Sequence, residues 1–61
     1  MGWIITGVDR DGITLFWNNE NGWGEGLEWA TVFSDEEQQL LPALPILLGR
    51  AKGGEPKWRR Q

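Results

Sequence analysis

The sequence predicts a single small α+β domain, in which an N-terminal hairpin extends to a small antiparallel sheet of three to four strands with one proline-broken helix packed on it. Three observations carry this. Two β-branched and aromatic runs flank a short acidic turn, "SDEE" opens a leucine-rich segment, and 61 residues leave room for one core only.

The elements follow in order. "WIITGV" (Trp3–Val8) and "ITLFW" (Ile13–Trp17) have strand composition, and the intervening "DRDG" (Asp9–Gly12) ends in a glycine free to adopt positive φ, which together predict a hairpin. Alternation puts Ile13, Leu15 and Trp17 on one face and Thr14 and Phe16 on the other. Neither face is clearly polar, so a helix is expected over one side and a less complete cover, such as a second copy of the chain, over the other. "NNENGWGEG" (Asn18–Gly26) is dense in turn formers, and Leu27–Phe33 has strand character toward its end.

Ser34 reads as an N-cap with Glu37 completing a capping box, and Asp35 and Glu36 sit where the helix dipole favours acids. Leu40, Leu41, Leu44, Leu47 and Leu48 fall at helical spacing and predict one apolar stripe. Pro42 and Pro45 interrupt it, because each lacks an N–H and its ring clashes with the preceding turn. The expectation is a helix over about Asp35–Leu41 and a second turn or short helix reaching Leu48. Gly49–Pro56 reads as loop. The basic segment 50–61 is either a tail or an edge strand running through Trp58.

Composition excludes several kinds of chemistry. The chain has no Cys and no His, which removes disulfides, thiolate catalysis and ordinary zinc sites. Five Trp remain as the bulk from which a small core can be built, with one or two of them available as interface anchors. No signal peptide is expected, and the longest apolar run, Leu40–Gly49, is too short and too proline-broken to span a bilayer. Residues 1–49 hold one basic residue against eight acidic ones, a net of −7, whereas residues 50–61 hold five against one, a net of +4. An acidic body carries a basic end, an asymmetry that bears on partners rather than on fold.

No catalytic or cofactor motif survives inspection. Gly22-x-Gly24-x-Gly26 lacks the flanking strand and helix of a phosphate loop, and Glu20, Glu25 and Glu28 would repel phosphate. A calcium loop started at Asn19 finds Trp23 and Ala30 where acids are needed. Ser34 is explained as a cap and has no His partner. The carboxylate pairs Asp9/Asp11 and Glu36/Glu37 sit in a turn and a first helical turn, where solvation leaves them ordinary charges. No enzyme, no metal and no cofactor is expected.

The order Trp17-Asn18, Gly22-Trp23, Ala30-x-x-Phe33, Ser34-x-x-Glu37, Leu44-Pro45 and a late Trp58 resembles very short proteins of unknown function encoded by phages and prophages. The resemblance covers about two-thirds of the chain and implies provenance, with no catalytic residue to carry over. By analogy of size and charge alone, anti-CRISPR inhibitors are the comparison group. The expected function is therefore a non-catalytic protein-binding module acting in the cytoplasm of a bacterial host, facing a basic partner surface with Glu20, Trp23, Glu25, Glu28, Trp29, Asp35 and Glu36. The opposing reading is a nucleic-acid-binding accessory protein using Arg50, Lys52, Lys57, Trp58, Arg59 and Arg60, which combine cations with one stacking platform. A self-assembling structural phage protein, with a homodimer as its simplest form, is the third.

Overall fold

The computed structural model of the chain describes residues 2–48 and 55–61. Strands β1 (Trp3–Val8), β2 (Thr14–Asn18), β3 (Gly22–Gly24) and β4 (Lys57–Arg60) form one antiparallel sheet in the order β3-β2-β1-β4. Helices α1 (Asp35–Leu40) and α2 (Leu44–Leu47) and a 3-10 turn at Leu27–Trp29 complete the α+β domain.

The β1–β2 turn is built by its own side chain. Asp9 Oδ1 accepts from the backbone N–H groups of Asp11 and Ile13, both at 2.9 Å, while Gly12 takes φ 82° to close the loop. Asn18 does the same for the next turn, its Oδ1 accepting from the Glu20 and Asn21 backbone N–H groups at 2.9 Å. Its amide also donates to Trp29 O at 2.9 Å, which fastens the 3-10 turn to β2. The segment after that turn is mostly irregular, with a single bridge pairing Phe33 and Trp3.

Directly opposed residues of antiparallel strands share a face, so the register Ile5↔Trp58, Gly7↔Leu15 and Trp17↔Trp23 places Trp3, Ile5, Leu15, Trp17, Trp23, Trp58 and Arg60 together. The helices pack against the β1/β4 half of this face. The Trp58 indole N–H donates to Leu41 O and Pro42 O, both at 3.2 Å, and its ring meets Phe33 edge-on at 5.1 Å. Trp3 donates to Asp35 Oδ1 at 2.7 Å, and the Arg60 guanidinium lies 5.0 Å over the Trp3 ring, so three separate segments are tied at one corner. The opposite face carries Ile4, Thr6, Phe16, Lys57 and Arg59, and its β3 half is covered by Trp29.

The capping box forms as the sequence requires: Ser34 Oγ accepts from Glu37 N–H at 3.0 Å and Glu37 Oε1 accepts from Ser34 N–H at 2.9 Å. The single leucine stripe does not form. Pro42 follows α1, and Pro45 sits in the first turn of α2, where a missing N–H costs nothing because it would have no intrahelical partner. The helix axis is therefore reset between Leu41 and Leu44, and Leu40 and Leu47 end 79% and 78% exposed. Pro45 is the buried residue of α2.

The tryptophans are not the deepest part of the core. Ile4, Ile5 and Phe33 are the buried large residues, whereas all five Trp are partly buried and form the rim around them. An indole is large and carries an N–H that needs a partner, so it sits at the edge of the core rather than at its centre.

Candidate functional site

Four of the five tryptophans engage their indole N–H groups inside the molecule. Trp3 donates to Asp35, Trp17 to Asn19 Oδ1 at 2.8 Å, Trp29 to Gly22 O at 2.9 Å, and Trp58 to the Leu41 and Pro42 carbonyls. Trp23 alone has no acceptor among the described residues. Its ring meets Trp17 edge-on, with centroids 5.3 Å apart, and its position in β3 puts it on an outer strand of the sheet.

Trp23 and Trp29 therefore differ. The Trp29 ring lies so close to the Gly24 backbone that a Cβ there would sit 2.5 Å from it, and the same ring is held by Gly22 O. It serves as the cover of β3. Trp23 keeps an open donor and is partly exposed, with Glu25 two residues on in sequence and Glu20 in the turn just before the strand; both acids are exposed. Glu28 is exposed on the 3-10 turn. Asp35 and Glu36 lie apart from this group, in the first turn of α1, and Asp35 is already engaged by Trp3 and by Arg60 at 3.9 Å.

The helical segment adds an exposed apolar surface, of which Leu40, Leu41 and Leu47 belong to the expected stripe and Ile46 does not. Leu40, Leu41, Ile46 and Leu47 all belong to the helical segment or its connection and are exposed, close in sequence to the acids of α1. The sequence signal for them is the interruption at Pro42 and Pro45, which turns the segment into two short helices.

The basic end divides as well. Arg50 and Lys52 lie outside the described residues. Trp58 faces the helices with its ring against Phe33 and Trp3, so it is not presented as a stacking platform, and Arg60 lies over Trp3. Lys57 and Arg59 share the other face of β4 and make no ion pair among the described residues.

A shallow groove of about 380 Å³ crosses that face, lined by Ile4, Phe16 and Leu27 together with Arg59 and Gln61. No carboxylate lines it, so it holds no acid–base pair. Among the described residues no three His, Cys, Asp or Glu side chains are grouped to hold a metal, and no helix is long and apolar enough to cross a membrane.

Comparison with family models, with curated proteins and with solved structures finds no match to this chain.

Proposed function

We propose that the chain is a non-catalytic protein-binding module that captures a basic surface of a partner protein. The observation that carries this is Trp23, the tryptophan without an internal hydrogen-bond acceptor among the described residues, set on an outer strand and flanked in sequence by exposed Glu20 and Glu25. An aromatic anchor with an open donor, bordered by charges of one sign, has the makeup of an interface centre with a polar rim. Glu28 extends the acidic border, and the field of the acidic body steers a basic partner toward it. Together with the resemblance to small phage and prophage proteins, this supports a phage-encoded inhibitor or modulator of a host complex, such as a CRISPR–Cas defence effector, in the bacterial cytoplasm.

The test is affinity capture with tagged protein from a bacterial lysate, read by mass spectrometry before and after nuclease treatment. A stoichiometric protein that survives nuclease and is lost when Trp23→Ala or the pair Glu25→Lys/Glu28→Lys replaces the native chain is the expected result. Recovery of nucleic acid alone, or a partner indifferent to these substitutions, overturns the reading.

A further inference from the structure

β4 is the second outer strand of the sheet, and its hydrogen-bonding side is fixed by its neighbours. Gln61 N–H donates to Gly2 O at 2.9 Å, and the register continues through Arg59↔Ile4 and Lys57↔Thr6. In an antiparallel ladder alternate residues point their backbone groups to the same side, so Lys57, Arg59 and Gln61 face β1. Trp58 and Arg60 therefore turn their N–H and C=O groups outward, and among the described residues no group hydrogen-bonds to them there.

We infer that the β4 edge accepts an extended acidic peptide segment as an added strand, with carboxylates at alternate positions opposite Lys57 and Arg59. Two independent features select that occupant. The outward N–H and C=O groups of Trp58 and Arg60 demand a peptide backbone, which a strand supplies and a nucleic acid does not. The side chains beside them select charge: Lys57 and Arg59 lie on one face of β4 without an ion-pair partner among the described residues. A second copy of β4 laid antiparallel on the first would set Lys57 against Arg59, Arg59 against Arg59 or Arg60 against Arg60, according to register. Like charges directly opposed across strands are destabilising, so the residues that guard this edge against self-pairing favour a strand of opposite sign. The surface is distinct from the Trp23 edge, which lies at the other side of the sheet and carries acids, so the inference does not depend on the reading given above.

The experiment uses the full chain and synthetic decapeptides of alternating Thr and Glu. Binding is followed by fluorescence anisotropy and by amide exchange at Trp58 and Arg60. Expected results are salt-sensitive binding, slowed exchange at those two amides, and loss of binding when peptide backbone nitrogens on the pairing side are methylated. Reversal of both cations, Lys57→Glu/Arg59→Glu, weakens binding by roughly ten- to a hundredfold as two cross-strand attractions become repulsions. The peptide with Gln in place of Glu loses affinity on the native chain too, which separates loss of charge from any misfolding of the variant. Binding that ignores N-methylation, equal affinity for the Gln peptide, tighter binding of an oligothymidylate through the same residues, or concentration-dependent self-association that displaces the peptide would each overturn the inference.

Discussion

Gly24→Ala is the most informative single change in this fold, because its sign depends on one contact. Gly24 does not have positive φ, so alanine suits its backbone. In open space the substitution would stabilise by about 0.4–1 kcal/mol through the unfolded state. Here the new Cβ would meet Trp29 at 2.5 Å from Cε2, 2.6 Å from Nε1 and 2.8 Å from Cδ2. Ordinary carbon contacts lie at about 3.5–4.0 Å, so the ring must retreat by roughly 1 Å. That retreat breaks the bond from the Trp29 indole to Gly22 O, now 2.9 Å, a loss of about 1 kcal/mol. Overpacking adds about 1–3 kcal/mol. A total near 2–4 kcal/mol lowers Tm by at least about 8 °C in a domain of this size. Thermal unfolding followed by circular dichroism measures it, and Trp29→Leu supplies the cycle: in its presence Gly24→Ala should cost little, since the obstructing ring is gone. Additive costs in the double variant would refute the claim that Trp29 covers β3 through Gly24.

Further changes probe the other elements. Ser34→Ala removes one half of the capping box and should cost about 0.5–2 kcal/mol, read as a lower denaturation midpoint at unchanged slope. Trp58→Phe keeps the ring contacts with Phe33 but deletes the indole donor to Leu41 O and Pro42 O, and should cost about 1 kcal/mol in the same measurement. Leu40→Ser and Leu47→Ser, each at a side chain nearly four-fifths exposed, should change stability by less than about 0.5 kcal/mol. A core stripe would instead lose about 2–5 kcal/mol per truncated leucine, so chemical denaturation of these two variants separates the two packings. Arg60→Ala removes an exposed ion pair at 3.9 Å and the cation over Trp3, and should cost under about 1 kcal/mol, with the Trp3 indole resonance shifting in NMR.

Local chemistry was legible in the sequence wherever one side chain decides the backbone beside it. Gly12 marks the first turn, and Ser34 with Glu37 specifies the start of α1 by satisfying backbone donors reciprocally; Asp9, read from the sequence as a solvated charge, instead holds the turn through the Asp11 and Ile13 N–H groups. What was not legible depends on distant contacts. The break at Pro42 and Pro45 was itself legible and matches α1 and α2, but which leucines the two short helices leave exposed, Leu40 and Leu47 above all, was not. Trp23 and Trp29 look alike in the string "NGWGEGLEW", yet the chain folds back so that Trp29 lands on Gly24 while Trp23 stays on the outer strand. Glycine in that stretch was readable as a turn former. Its second role, removing a Cβ so that an indole can lie against a strand, depends on where the chain returns.

The same return gives the sheet its two unlike edges. β3 ends the sheet on one side with Glu20 and Glu25 next to it in sequence, and β4 ends it on the other with Lys57, Arg59 and Arg60. Had β4 paired beyond β3 instead of beside β1, these charges would have neutralised one another along one edge. Pairing with β1 is set by apolar burial rather than by charge, since it places Trp58 opposite Ile5, which is 0% exposed, and against Phe33. Core packing therefore leaves Glu20 and Glu25 next to one edge strand and Lys57, Arg59 and Arg60 on the other. A partner that meets Trp23 and a strand that meets β4 would thus bind the chain at the same time, with neither site blocking the other.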